Sequence, residues 1–485
     1  MRYRSPKQDC DISVNNSLRI LGSSGGMPVH GLWDALRSRG LLEEAKNGEE
    51  LRQLLQGKKV AVDLSIWAVE GQERSLQIEA KGGNIWPNYY LLMCFFRAAQ
   101  LLRYECLPIG VMEGACPASK KRHRERGGSH DQRNEQVALL FKALGCPVLK
   151  ARGEAEGLCA QMSKEGAVDI VCSSDSDVLP FGAEGLVLKT AKASGAWQYV
   201  HVCKVQEAFG FGQQGFIALA LLAGCDFTRG ANGVGAEKAL QCVCGLLRQC
   251  DEPSLKERLL EALSGDLPAE LQQLTRLHGC QTCKKCGHGP SKKEHGSRGC
   301  KDCGATVGCL LRVSPCPCDF HARHDEVVLA RALSNSGVST EHAKAAWEIY
   351  TAPEPAMPTL SWSRPCVKEV VHQLRDSCNY PRCRVLRNLL PALMLWDLTH
   401  PEEAMFAPVS MVGLSKKKRP VFEWVVRPFD AALMEALGGL PRERRSLPPD
   451  LAARFCPEIM TRYGVALLNK KLDSCPSRHR NREHW

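Results

Sequence analysis

From Gly31 to about Leu188 the chain alternates short, apolar, β-rich runs with longer helical ones, a pattern that leaves few ways to fold. KKVAVDLSI reads as a buried strand and NYYLLMCFFRAAQLL as the helix after it. CLPIGVMEG, PVLKA and VDIVCSS read as further strands, with EQVALLFKALG and EAEGLCAQMSKEG as the helices between them. Such alternation predicts a mainly parallel sheet with helices on both faces, and ligands in sheets of that kind bind outside the carboxyl ends of the strands. Residues 215–250 then turn helical, with Gly233-Val234-Gly235 between two amphipathic segments, and residues 325–390 read as further helices. From about Trp396 to Pro428 the pattern becomes strand-like, with FEWVV the clearest strand, before a helix over 429–437 and a disordered tail in the last fifteen residues. There is no internal repeat.

Seven acids mark the ends of these elements: Asp63 in AVDLSIW, Glu113 in VMEG, Glu154 and Glu156 in GEAEG, Asp175 and Asp177 in SSDSD, and Asp226 in AGCDF. In an extended segment residues two apart face the same way, so Asp175 and Asp177 can share an ion or a pair of ions. Glu154 is expected in the turn before a helix and Glu156 in its first turn, where the positive helix terminus favours them. Any one of these acids alone reads as an ordinary cap or a solvated charge. Five segments sharing one topological location do not. Carboxylates gathered there repel strongly unless cations intervene, and hard oxygen donors suit Mg²⁺ or Mn²⁺. Two such ions about 4 Å apart can activate a water and stabilise both oxygens of an in-line attack on phosphate, so the pattern points to phosphodiester hydrolysis. No Ser-His-Asp arrangement competes for the catalytic role.

The 485 residues have room for two to four domains. The 64 Lys and Arg against 53 Asp and Glu give +11 overall, and more once seven acids are set aside for metal, which favours a nucleic-acid partner. LLMCFF and FIALALLAG are too short to span a bilayer, and residues 1–26 lack the apolar stretch of a secretory signal. With 25 cysteines but no export signal, and eight of them within 280–318, metal binding and free buried thiols are expected in place of disulfides.

VMEG, GEAEG, the Asp-x-Asp after a strand, and LLAGCDF followed by GVGAEKAL resemble the structure-specific 5′ nucleases of the flap endonuclease/XPG superfamily, over roughly residues 27–260. AVDLSIW followed by EGQ, Glu113 where the family more commonly has Asp, and CGHGPSKKEHGSRGCKDC are similar to the Gen-type Holliday junction resolvases. The resemblance implies an α/β fold, a 5′-nuclease (PIN-like) core with a mainly parallel central sheet flanked by helices. That core would span 27–275 and include a helix–two-turn–helix at about 215–250. It makes Asp63, Glu113, Glu154, Glu156, Asp175, Asp177 and Asp226 ligands of two Mg²⁺ ions, with Mn²⁺ able to substitute. It further implies an endodeoxyribonuclease leaving 5′-phosphate products, acting in nuclear DNA recombination and repair on Holliday junctions and 5′ flaps. Homodimers would form on four-way junctions, with monomers elsewhere and no membrane partner. A flap- or bubble-specific repair nuclease without resolvase activity, or a catalytically weak junction-binding scaffold, are the alternatives; the presence of all seven acids argues against the scaffold.

Gly233 and Gly235 then let backbone approach a DNA phosphate at a helix start, with Lys238 adding charge; a tight helical connection is the simpler alternative. Only 40 residues separate Glu113 from Glu154, fewer than a long helical arch around a free 5′ end requires. Lys120, Lys121, Arg122, Arg124 and Arg126 form a short basic strap instead, in which Lys120 is assigned to the scissile phosphate by its offset from Glu113, with Arg122 second. A solvated basic loop is the alternative. Trp67 is read as a core residue, with stacking on a base near the cut as the second reading.

Cys283-x₂-Cys286 and Cys300-x₂-Cys303 have zinc-ribbon spacing, expected to hold a structural Zn²⁺ within a Cys/His-rich insert at 276–325, with His295 able to replace one ligand. Cys316, Cys318, His321 and His324, with Cys309, form a second candidate. A helical extension over 326–390, a chromodomain-like module over 391–470 with Trp396, Phe422 and Trp424, and a tail over 471–485 complete the expected organisation. In that module an aromatic cage is weighed against aromatic core residues and a DNA-contacting role, and Lys416-Lys417-Lys418-Arg419 reads as a nuclear import signal or a solvated turn. The family usually begins Met-Gly-Val with its N-terminus threaded near the site. Here Met27-Pro28-Val29 follows an extension of 26 residues, expected to be disordered or to precede the true start, with organelle targeting as a weaker reading.

Overall fold

The computed structural model describes residues 29–115, 128–191, 194–264, 324–334, 338–355 and 357–400, together with the backbone of a hairpin at 406–414 and 420–426. The strap lysines and arginines 120–126, the Cys/His insert up to residue 323, and the expected helix over 429–437 lie outside these residues.

Seven strands form one sheet: β1 (Glu43–Glu44), β2 (Lys59–Asp63), β3 (Leu107–Met112), β4 (Val148–Lys150), β5 (Ile170–Cys172), β6 (Leu186–Thr190) and β7 (Trp197–His201), in the order β1-β7-β6-β5-β2-β3-β4. β2 pairs in parallel with both β3 and β5, and parallel pairing continues to β4 on one side and β6 on the other. β7 and β1 add an antiparallel edge that the strand–helix alternation did not reveal. The mainly parallel sheet is as expected from sequence. Because the chain runs outward from β2 to β4 and returns to β5 on the other side, the order reverses at β2, and a crevice opens beyond its carboxyl end.

The sheet is covered on both faces, and its strands alternate accordingly. Val60, Val62, Ile170, Cys172, Leu186 and Leu188 point into one core with helices α3 (Leu64–Ala80), α4 (Tyr89–Arg103) and α5 (Gly128–Ala143). Ala61, Ile109, Val111, Val171 and Val187 point into the other. That second core is built on α1 (Leu32–Ser38), α6 (Ala155–Lys164), α7 (Val202–Phe209), α8 (Gln213–Ala223), α9 (Ala236–Leu247) and α10 (Leu255–Leu263). The remaining helix of the first half, α2 (Gly48–Leu55), sends Leu51 and Leu55 into the first core. Four later helices, α11 (His324–Ser334), α12 (Thr340–Thr351), α13 (Val367–Cys378) and α14 (Arg382–Thr399), divide between the faces: α11 and α12 join the second core, α13 and α14 the first. Among the described residues no helix is long and apolar enough to cross a membrane.

Three expectations about elements are corrected. KKVAVDLSI is strand only to Asp63, because the Asp63 carboxylate caps a 17-residue helix at Leu64. SSDSD is not extended: after β5, Asp175 caps a short 3₁₀ turn over Ser176–Val178, so the pair is set by a turn and not by strand alternation. Trp396 is not at the start of a strand; α14 runs on to Thr399 despite Pro391, and the strands begin only at Phe406. Trp396 is buried and its ring stacks on His400 at 4.1 Å, which places it in the helical layer. Trp67 is likewise a core residue, 2% exposed and edge-on to Phe141 at 5.9 Å. Stacking on a base is excluded by that burial.

Candidate active site

Asp63 ends the central strand and is fully buried. Its Oδ1 accepts from the Ser65 and Ile66 backbone N–H groups, at 3.0 and 3.1 Å, and from the Ser65 hydroxyl at 2.8 Å. That is an N-cap, the side chain satisfying donors the helix leaves open. Oδ2 is buried and meets no N–H or O–H donor among the described residues. Its company is acidic. Burial, together with the negative charge of Glu113, pushes the Asp63 carboxyl up to about 6, while the caps and the neighbouring Glu156 pull the other way. A buried carboxylate with an undonated oxygen beside two further acids needs either a proton or a cation.

Glu113 follows β3 by one residue. The parallel ladder extends past the strands there: the Ala151 N–H donates to Met112 O at 2.9 Å, that of Gly114 to Gly153 O at 2.7 Å, and that of Ala115 to Arg152 O at 3.0 Å. This stitch locks VMEG onto GEAEG. A Cβ at Gly114 would lie 2.1 Å from Ala151 O, so only glycine permits the approach. Glu154 is the N-cap residue of α6 and Glu156 lies in its first turn, as expected, and both are buried.

On the other side of β2, the Asp175 N–H donates to Ser173 Oγ at 3.1 Å and Asp175 Oδ1 accepts from the Asp177 N–H at 2.9 Å. The Trp33 indole N–H donates to Ser174 O at 2.8 Å and fixes the same loop. Asp177 is held by two distant parts of the chain: the Val29 N–H donates to Oδ1 at 3.2 Å and the Tyr350 hydroxyl to Oδ2 at 2.7 Å. Asp226 follows α8 in a loop closed by Cys225 N–H to Thr228 O at 3.0 Å and Ala231 N–H to Leu222 O at 2.8 Å. That loop turns on Gly224 and Gly230, both at positive φ, with the two backbones too close for a Cβ at Gly230.

All seven acids therefore sit on or beside the carboxyl edge, in two groups. Glu113 and Glu156 act on the charge of Asp63, with Glu154 at the N-cap of the helix that carries Glu156, while Asp175, Asp177 and Asp226 occupy the loops after β5 and α8. They do not close on one point. Among the described residues no three Asp, Glu, Cys or His side chains form a ready-made metal cage. Two buried thiols lie against the acids and stay protonated: Cys159, raised by burial and by Asp63 and Glu156, and Cys225, pushed up to about 11 by burial and by Asp177. The donor set is thus oxygen, the type that suits Mg²⁺ or Mn²⁺.

Of the expected DNA contacts, Gly233 and Gly235 are exposed ahead of α9, and a Cβ on either would meet nothing within 4 Å. Gly233 needs glycine for its φ of 71°, whereas Gly235, the N-cap residue at φ −98° and ψ −177°, does not. Nothing inside the fold requires the second glycine. Lys238 folds back, its ammonium donating to Gly233 O at 2.8 Å. Lys120, Lys121, Arg122 and the zinc candidates Cys283, Cys286, Cys300 and Cys303 lie outside the described residues. Sequence reasoning missed Tyr350, Trp33 and Val29. Their signal was absent because each reads as an ordinary apolar position of a helix or its approach.

Two family models match the chain in order: the XPG N-terminal domain over residues 27–135, which holds Asp63 and Glu113, and the XPG I-region over 145–226, which holds the other five acids. Flap endonuclease GEN-like 1 of Arabidopsis thaliana is 30% identical over 307 residues, 55% of this chain and 49% of that protein. Flap endonuclease GEN of Drosophila melanogaster is 26% identical over 439 residues, 81% of this chain and 56% of that one. The chain thus spans about half the length of these curated relatives. Human GEN1, solved with Holliday junction DNA, superposes with a TM-score of 0.59 at 18% identity, covering 92% of this chain and 99% of that one. The catalytic core of Rad2 with its DNA substrate gives 0.51 at 19% identity, covering 75% and 99%. At such identities these structures speak for the fold alone. Residues 27–226 thus match the XPG N-terminal domain and the XPG I-region in order, and all seven acids fall within the two matched spans.

Proposed function

We propose that this chain is a divalent-metal-dependent, structure-specific DNA endonuclease that resolves Holliday junctions and cuts 5′ flaps. The observation that carries the reading is Asp63: a fully buried carboxylate at the switch point of the sheet, one oxygen without a donor, and within the electrostatic reach of Glu113 and Glu156. Glu154, Asp175, Asp177 and Asp226 complete an all-oxygen set able to hold two Mg²⁺ ions, with Mn²⁺ as a substitute. Such ions would supply an activated water and charge stabilisation at the attacked phosphate.

The chain's own residues do the rest. The Gly114 stitch and the Asp63 cap keep the acids on rigid elements, and the open space before Gly233 and Gly235 admits a DNA backbone to the amides at the start of α9. Lys120, with Lys121 and Arg122, is assigned to the scissile phosphate, and Lys238 to the glycine loop, where it shapes the turn. The relatives' names support flaps and junctions as substrates. The short interval between Glu113 and Glu154 supports substrates without a free end. Two symmetric nicks need two sites, hence a homodimer on four-way junctions and a monomer elsewhere. The reading keeps a structural Zn²⁺ on Cys283, Cys286, Cys300 and Cys303, a chromodomain-like module after the helical extension, and a nuclear location.

Purified protein is incubated with labelled Holliday junctions and 5′ flaps in Mg²⁺, beside Asp175→Ala. The expected result is symmetric, ligatable junction nicks and flap cuts, both lost in the variant. Equal cleavage by the two proteins sinks the assignment. Flap cuts without junction nicks select the flap-specific alternative, and junction binding in EDTA with no cleavage in Mg²⁺ or Mn²⁺ selects the scaffold.

A further inference from the structure

We propose that Tyr350, the penultimate residue of α12, is a positioning residue for the acidic site, holding Asp177 by its hydroxyl in the orientation that metal binding requires. The proposal rests on the metal-site reading above and extends it to a residue 173 positions away in sequence.

Tyr350 is 2% exposed, and its hydroxyl donates to Asp177 Oδ2 at 2.7 Å. Phe181 and Phe227 meet its ring edge-on, with centroids 4.8 and 5.2 Å away; Phe181 follows the turn of Asp175 and Asp177, and Phe227 is the residue after Asp226. A buried hydroxyl needs a partner, and this one has chosen a carboxylate over any backbone carbonyl. Burial, followed by the charge of Asp177, keeps the phenol protonated far above neutral pH, so it remains a donor throughout the working range. The Cys225 thiol lies within hydrogen-bonding reach of the same hydroxyl, which ties the loop before Asp226 to the arrangement.

The consequence for Asp177 is geometric. Val29 occupies one oxygen and Tyr350 the other, from 148 positions before Asp177 and 173 after it, so the carboxylate plane is fixed before any ion arrives. Groups that hydrogen-bond a ligating carboxylate orient it and tune its basicity. Helix α12 itself is anchored independently: Ala343, Ala346 and Trp347 are buried in the second core, and Glu354 just beyond it accepts from the Arg152 N–H at 2.7 Å. The hydroxyl is therefore delivered by a rigid element and does not depend on Asp177 for its own place.

The test compares wild type with Tyr350→Phe, which keeps the ring and removes only the donor, with Trp347→Phe as a packing control on the same helix and Asp177→Asn as a site control. Mn²⁺ binding is read directly from the electron paramagnetic resonance of free Mn²⁺, and the Mg²⁺ dependence of flap cleavage beside it. We expect Tyr350→Phe to weaken Mn²⁺ binding about tenfold and to raise the Mg²⁺ midpoint in parallel, with cleavage recovering at high Mg²⁺. Its melting temperature in EDTA should stay within about 4 °C of wild type. Trp347→Phe should leave both metal midpoints where they are. Superimposable metal titrations of wild type and Tyr350→Phe overturn the positioning role while leaving the nuclease reading intact. A wild type that neither binds Mn²⁺ nor cleaves, or an Asp177→Asn variant that binds Mn²⁺ as wild type does, overturns the metal-site reading and this proposal with it.

Discussion

Replacing Asp63 with Asn should stabilise the metal-free protein while abolishing its chemistry. The side chain's two oxygens have separate jobs. Oδ1 caps α3 through two backbone N–H groups and the Ser65 hydroxyl, and an Asn carbonyl accepts all three equally well. Oδ2 has no donor, and an Asn amide placed there can donate to Glu156, which interacts with Asp63 in the native site. The free energy follows from linkage. Folding raises the Asp63 carboxyl from 3.8 to about 6, through burial and then Glu113, so the folded state binds its proton more tightly than the unfolded one. For a group raised in this way, stability is full below pH 4, declines as pH rises through 6, and stays reduced above it. That rise corresponds to about 3 kcal/mol of electrostatic cost at neutral pH, and a neutral Asn never incurs it. Denaturation in urea with EDTA, at steps from pH 4.5 to 8, measures the difference. Asn should be more stable than Asp at pH 7.5 by about 1–3 kcal/mol, with the gap closing toward pH 4.5. Mg²⁺ should then stabilise wild type and not the variant. A variant less stable than wild type at pH 7.5, or a gap independent of pH, refutes the claim that Asp63 is held at electrostatic cost.

Gly114→Ala should fold poorly, because its Cβ would stand 2.1 Å from Ala151 O in the stitch between VMEG and GEAEG. A loss on the order of 3 kcal/mol is expected from thermal unfolding, and wild-type stability would show that the stitch can yield. The glycines before α9 should separate the two demands on them. Gly233→Ala, at φ 71°, should cost about 1 kcal/mol of stability, whereas Gly235→Ala, in ordinary extended backbone with open space ahead, should cost less while weakening DNA binding in EDTA. Unchanged DNA affinity in Gly235→Ala would remove the phosphate role assigned to that loop.

The core strands were legible because burial on both faces leaves continuous apolar runs: Val60 to Asp63 are all fully buried, and such a run cannot be a surface loop. The acids were legible for the same reason, standing where those runs stop. What failed was local. Asp63 has the same letters whether it continues a strand or caps a helix, and α3 carries no continuous apolar stripe to announce itself, since its first half from Leu64 to Val69 is buried nearly all round while Arg74, Leu76, Gln77 and Glu79 in its second half are exposed. The hairpin β6–β7 was obscured because its strands are buried by tertiary packing while carrying Lys189, Thr190 and Gln198. Tyr350 was beyond sequence altogether: a tyrosine on an amphipathic helix announces an apolar position, and only the fold shows its hydroxyl reaching Asp177. Contacts spanning 148 and 173 residues leave no local trace.

The open arrangement of the acids has a consequence for the order of binding. Among the described residues no three donors close around a point, although seven acids share the edge. Mg²⁺ is usually held by one or two carboxylates, its own waters and the phosphates of the substrate, so an incomplete protein shell is what a phosphate-completed site should look like. Metal and DNA should therefore bind with positive coupling, and linkage requires that each raise the other's affinity by the same factor. Mn²⁺ titrations with and without nicked product duplex, which cannot be cut again, measure one side of the cycle, and duplex titrations with and without Mn²⁺ measure the other. A shared factor of about 5–150 is the range such couplings occupy. Asp63→Asn should reduce it toward unity, because the buried oxygen left without a donor is the one that gains most from a cation. Mn²⁺ binding that is tight and indifferent to DNA would mean that the protein alone closes the shell, and that the acids rearrange around the ion before any phosphate reaches it.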